Sequence, residues 1–125
     1  MEIIISNSSS KPIYEQITSQ VKDQIMAGDL KAGEQLPSIR ALANSLRVSA
    51  ITTKRAYAEL EAQGFIETVQ GKGSFVAGGN AELLREERLR EIEGRLSQAI
   101  EAARALGLAD VELIEMMRTL LESDD

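Results

Sequence analysis

Cysteine and histidine are both absent from this 125-residue chain. Their absence removes disulfides, thiolate and imidazole metal ligation, cysteine nucleophiles and histidine acid–base catalysis together. No paired-carboxylate cleft is suggested in their place, so the chain is expected not to be an enzyme and to need no cofactor or metal ion. No apolar run approaches the ~18 residues of a membrane-spanning helix. The opening Met1-Glu2-Ile3-Ile4-Ile5 lacks the basic and long apolar regions of a secretory signal. A soluble, cytoplasmic protein without a membrane partner is expected. Positive charge is in deficit as well: fourteen Lys/Arg face twenty Asp/Glu, a net charge of −6. Over the whole chain this argues against a nucleic-acid partner. The deficit is local, however. Residues 1–77 carry eight basic and eight acidic residues, whereas 78–125 carry six and twelve. Within 38–76 the balance is five basic to three acidic. The acidity belongs to the C-terminal part and leaves DNA binding by the first part unopposed.

Hydrophobic spacing divides the chain further. Ile13, Ile17, Val21 and Ile25 recur every four residues, one stripe of a helix with Pro12 at its first position and Gly28 as a left-handed end. Ser38 suits the N-cap of a short second helix carrying Ile39, Leu42, Ala43 and Leu46. Ser49 suits that of a third, with Thr53, Ala56, Tyr57 and Leu60 inward and an end near Gly64. About three residues separate the second and third helices. The period then changes: Phe65 to Val69 and Ser74 to Val76 are β-prone runs around Gln70-Gly71-Lys72-Gly73, a hairpin with a glycine-rich tip. A two-stranded ribbon is marginal alone, and Ile3-Ile4-Ile5 is the candidate third strand.

Gly78-Gly79-Asn80 reads as a hinge. Beyond it Leu89, Ile92, Leu96, Ala99, Ile100 and Ala103 alternate steps of three and four, the seam of a helix that pairs with another helix. Leu106-Gly107-Leu108 breaks the run. Asp110 is placed to cap a last helix with Val111, Ile114, Met117 and Leu121 on one face, before the acidic Asp124-Asp125.

Helix, short turn and second helix make a helix-turn-helix, whose second helix enters the DNA major groove. Arg47 stands where such turns usually carry Gly, and the expectation is an extended turn without a positive φ. With Thr53 and Ala56 inward, Ser49, Ala50, Thr52, Lys54 and Arg55 project outward. Hydroxyls and cations there can bond phosphates or base edges, and Ala50 can meet a thymine methyl. Ser38 and Arg40 at the start of the bracing helix, and Gly71-Lys72-Gly73 as a wing tip, complete the set of candidate DNA contacts. Any one of these cations taken alone is best read as a solvated surface charge; four on one face are not. Tyr57 is expected in the core with its hydroxyl at the rim. Gly71-Lys72-Gly73-Ser74 is not a P-loop, because Ile66 stands where that motif needs Gly and Gly73 where it needs Ser or Thr.

The stretches Pro12 to Ile17, Gly33 to Ser38 with Arg40, Leu42 and Ala43, Val48-Ser49 with Thr52, Ala56-Tyr57 and Leu60, Gly64-Phe65-Ile66, and Gly71 to Val76 resemble the winged helix-turn-helix domain of GntR-family bacterial transcription regulators. The resemblance covers roughly residues 3–77. It implies DNA contacts at Arg40, at Ser49, Ala50, Thr52 and Lys54, and at Gly71. The short two-helix tail is similar to that of the YtrA-type subfamily, which implies dimerisation through those helices and control of a neighbouring transporter operon.

The expected protein is therefore mainly α with a small β-wing: a winged helix-turn-helix domain at 1–77, a hinge at 78–80 and a two-helix dimerisation tail at 81–125. Leu89, Ile92, Leu96, Ile100, Ile114, Met117 and Leu121 are the dimer contacts. The expected function is sequence-specific regulation of transcription, as a repressor, by a homodimer on a pseudo-palindromic double-stranded operator. Half-sites would lie ~10 bp apart or a multiple of that. The alternative is a winged-helix protein-interaction module that never binds DNA. A small-molecule effector is left open, with little room for a buried pocket unless the dimer builds one.

Overall fold

Helix α1 spans Ile13–Ala27, and its stripe of Ile17, Val21 and Ile25 is buried. Pro12 stands one place earlier than expected, at the N-cap, with its carbonyl accepting from the Gln16 N–H at 3.1 Å. Gly28 ends the helix in the left-handed region at φ 87°. Helix α2 (Ile39–Leu46) and helix α3 (Ala50–Ala62) follow, each begun by a serine. Ser38 Oγ accepts from the Ala41 N–H and Ser49 Oγ from the Thr52 N–H, both at 3.0 Å. Strands β1 (Ile66–Val69) and β2 (Gly73–Val76) pair antiparallel with Ile66 opposite Val76. The computed structural model describes residues 1–123, with the backbone alone at Asn80 and Ala81; Asp124-Asp125, expected as an acidic end, lies outside the described residues.

The chain divides into two compact units, Met1–Arg85 and Glu86–Asp125. The first is built around α3, which packs against α1, α2 and β1. Thr53, Ala56, Tyr57 and Leu60 form its inner face, and Leu36, Leu42, Phe65, Ile66 and Val76 close the core around them. Thr53 is fully buried, yet its hydroxyl donates to the Ser49 carbonyl at 3.1 Å. Among the described residues no buried side-chain polar atom is left without a partner.

Two expectations about the chain path are corrected. Ile3-Ile4-Ile5 is not a strand. The edge of β2 is taken instead by residues 33–36: the Gly33 N–H donates to the Val76 carbonyl, Val76 N–H to Glu34, and Leu36 N–H to Ser74, at 2.8–2.9 Å. The N-terminal segment lies along α1, where the side-chain amides of Gln16, Gln20 and Gln24, spaced one turn apart, bond the backbone of Ser6, Ile4 and Glu2. These amides replace a neighbouring strand while Ile3 and Ile5 pack on the core. Arg47, second, does adopt a left-handed conformation, at φ 58°, ψ 44°. Only three residues join α2 to α3, and closing α2 with the Val48 N–H on the Ala43 carbonyl at 3.0 Å requires that reversal at Arg47.

In the second unit, the part of helix α4 (Asn80–Ala105) from Glu86 onward, more than five turns, leads to helix α5 (Asp110–Ser123). Gly107, at φ 77°, carries the turn. Asp110 is the first residue of α5 rather than its cap; Ala109 precedes the helix, and its N–H donates to Glu112 Oε1 at 3.3 Å. Within this unit Ala103 is the one buried apolar side chain among the described residues.

Two stability predictions follow from the first unit. A non-glycine residue at positive φ costs on the order of 1 kcal/mol. Arg47→Gly should raise the unfolding free energy by about 0.5–1 kcal/mol in urea; a lowered midpoint would show that the arginine side chain contributes more than its backbone costs. Tyr57 donates its hydroxyl to the Pro37 carbonyl at 2.7 Å, and Tyr57→Phe should cost about 1 kcal/mol. Burial pushes the Tyr57 phenol up to about 12. A folded pKa above the unfolded one means the contribution is complete below about pH 10 and is lost as pH rises through about 12. The stability gap between wild type and Tyr57→Phe should thus shrink over that window in pH-dependent urea melts, and a constant gap would contradict it.

Candidate nucleic-acid interface

The inner stripe of α3 dictates what its outer face presents. With Thr53, Ala56, Tyr57 and Leu60 buried, Ala50, Ile51, Lys54 and Arg55 are exposed along its first two turns. Arg40 is exposed on the first turn of α2. The Tyr57–Pro37 hydrogen bond ties α3 to the residue just before Ser38, so the start of α2 and the face of α3 are held in one geometry. Ser38 is exposed and keeps its hydroxyl hydrogen for an external acceptor while its oxygen caps α2. Ser49 is committed more fully. Its oxygen accepts from the Thr52 N–H, and its hydroxyl donates to Thr52 Oγ1 at 2.8 Å. Ser49 and half-buried Thr52 therefore stabilise the start of α3, and Ser49 has less to offer a ligand than the sequence suggested.

Arg55 does not extend freely into solvent. Its guanidinium lies over the Tyr14 ring, 3.8 Å from the centroid. Stacking of this kind holds the group by its face and leaves the in-plane N–H donors directed outward, suited to a phosphate. Lys54 is exposed on the neighbouring side of the same helix.

The wing tip is equally built. Gly71 and Gly73 take φ of 79° and 120°, and the Lys72 N–H closes the turn on the Val69 carbonyl at 2.9 Å. Gln35 Nε2 donates to the Lys72 carbonyl at 2.9 Å. A Cβ added at Gly73 would stand 2.9 Å from that same nitrogen. Glycine at 73 is needed both for the backbone and for the approach of Gln35. The result is an exposed Lys72 on a tip fixed from beneath, flanked by little side-chain bulk.

Tyr14, Gln35 and Ile51 take part in this surface without having been singled out from sequence. Gln35 carries no sequence signal, because its partner lies thirty-seven residues away. Tyr14 sits beside the α1 stripe, and only the crossing of α1 and α3 brings it to Arg55. Ile51 was legible: at 100° per residue it lies about 170° from the centre of the buried α3 stripe. Among the described residues no group of three or more His, Cys, Asp or Glu is placed to hold a metal ion, and no helix is long and apolar enough to cross a membrane.

Helices α1 to α3 with the β1–β2 wing make a winged helix, and comparison with known proteins agrees. The family described as bacterial regulatory proteins, gntR family, matches residues 13–76. The chain is 36% identical over 118 residues to the HTH-type transcriptional repressor YtrA of Bacillus subtilis, covering 94% of this chain and 91% of that protein. A GntR family transcriptional regulator from Listeria monocytogenes superposes with a TM-score of 0.68 at 32% identity, over 90% of this chain and 97% of the other. The AraR DNA-binding domain, in complex with operator ORX1, superposes with a TM-score of 0.55 at 29% identity, over 62% of this chain and 96% of that one. The segment from α1 to β2 and the length of the YtrA match lead to one assignment: the chain belongs to the GntR family of bacterial regulatory proteins.

Proposed function

We propose that this protein is a cytoplasmic, sequence-specific DNA-binding transcription regulator, a repressor without enzymatic activity, that occupies a pseudo-palindromic operator as a homodimer. The observation that carries the reading is the outer face of α3, where Lys54 and Tyr14-stacked Arg55 flank the first turn. The Gln35-braced Lys72 of the wing supplies a second exposed cation. In this reading α3 enters the major groove, Ser38 and Arg40 meet the adjoining backbone, and Gly71-Lys72-Gly73 follows the minor groove. The operator complex of the similar AraR domain supports duplex DNA as the partner. The outward basic patch argues against a protein-interaction module that never binds DNA.

A single module of this size reads few base pairs, so specificity calls for two of them across a two-fold axis. Residues 1–77 are the DNA-binding part in this reading, 78–80 a hinge, and 81–125 the dimerising tail. Leu89, Ile92, Leu96 and Ile100 on α4, and Ile114, Met117 and Leu121 on α5, are 38–68% exposed. Leu96, Ile100, Ile114, Met117 and Leu121 border an open groove of about 390 Å³ between the two helices. So much apolar surface in so short a unit calls for a partner, and a second copy matches it with the same pattern. The net negative charge of residues 78–125 disfavours contact of the tail with DNA and keeps non-specific affinity low.

Two experiments test the reading. In a salt titration of binding to the promoter region of its own operon, Lys72→Ala should weaken binding to every sequence and reduce the log–log salt slope by about one unit, as loss of one phosphate contact does. An unchanged slope removes Lys72 from the interface. Replacing Leu96 and Ile100 with Asp should give monomers in sedimentation, with operator affinity lost and the helical spectrum of the winged domain kept. Dimers persisting in that variant would rule out the tail as the interface.

A further inference from the structure

The first turn of α3 is the part of a recognition helix that reaches base edges, and here its polar groups are largely spent. Ser49 both donates to Thr52 Oγ1 and accepts from the Thr52 N–H, which leaves only the hydroxyl hydrogen of Thr52, half-buried on the flank of the helix. What remains facing outward is apolar: Ala50 and Ile51, both exposed. Ile51 is 82% exposed, more than any other large apolar side chain described in residues 1–85. A lone exposed isoleucine on a surface needs no explanation. This one has a particular setting. At 100° per residue Lys54 and Arg55 lie about 60° and 40° to either side of Ile51 around the helix axis. Arg55 is held on its side by Tyr14 at 3.8 Å. Cations on both shoulders suit the phosphates of the two strands that wall a major groove, and the residue between them then points at the groove floor.

An isoleucine there has no hydrogen bond to give or take. It leaves every donor and acceptor it covers without a partner, which is costly at guanine, cytosine and adenine edges. The thymine C5-methyl is the one feature of the major-groove code that an aliphatic side chain complements. We propose that Ile51 is a specificity-determining residue that selects thymine in each operator half-site by packing on its methyl group. The inference rests on the DNA-binding reading above and adds a base preference to it.

The test uses the full chain and duplex sites that it selects from a randomised library. Each thymine in the selected half-site is replaced by deoxyuridine, which deletes the methyl and preserves pairing and hydrogen-bonding groups. At one or more thymines per half-site the wild type should lose about three- to fivefold in affinity, the worth of one buried methyl-sized group. Ile51→Ser, with its helical spectrum and salt slope intact, should show no loss at that thymine and should no longer select it, whereas Ile51→Val should keep the sensitivity. If the wild type binds selectively but tolerates every deoxyuridine, or if wild type and Ile51→Ser respond alike at each position, the proposal is overturned while DNA binding stands. If the wild type selects no sequence at all, the DNA-binding reading fails and this inference with it.

Discussion

The buried face of α3 is the constraint on which the functional surface depends. Thr53, Ala56, Tyr57 and Leu60 are each 4% exposed or less, and they meet α1, α2 and β1 at once. A helix packed on three elements cannot rotate without emptying a close-packed core. Its opposite face is thereby set, residue by residue, and Lys54, Ile51 and Arg55 follow from the inner stripe as a matter of helix geometry. The Tyr57 hydroxyl extends the same constraint to Pro37 and so to the start of α2.

The wing depends on that core in a different manner. Two four-residue strands would be marginal alone, and the structure supports them from both ends. Ile66 and Val76, paired at the base of the hairpin, are buried in the core. The segment before α2 bonds the free edge of β2, and from it Gln35 reaches the tip. The residues that lead into α2 thus also hold the wing, so the two candidate contact regions share one support. The N-terminal segment is held by side chains instead, through three glutamines one turn apart on α1.

The unit from Glu86 onward has the opposite character. It buries almost nothing internally among the described residues, and its apolar positions face outward in a helical pattern. One part of the chain buries its hydrophobic surface by folding, and the other leaves it exposed. The charge is partitioned the same way, balanced over residues 1–77 and acidic beyond.

Most of the architecture was legible in the sequence because it is governed by local rules. The stripe on α1, the serine caps of α2 and α3, the change of period into a glycine-tipped hairpin and the helical tail each depend on residues within a few positions of one another. The misreadings came where local rules were silent or in competition. Ile3-Ile4-Ile5 has the composition of a strand, but strand formation needs a free edge, and residues 33–36 occupy the one beside β2. Arg47 is not a residue that chooses positive φ, yet a three-residue turn between two packed helices imposes it. Among the candidate site residues, Arg40, Lys54 and Lys72 were proposed from their places in the helices and the hairpin, and the structure leaves each exposed. Gln35 beneath the wing and Tyr14 beneath Arg55 were not, since each acts on a group far along the chain. The sequence by itself determined which elements form, which faces are apolar and where the charge lies, because these are properties of periodicity and composition. Only the tertiary structure decided which side chains brace the cations and which hydroxyls are already spent, because those contacts exist only once distant segments are packed together.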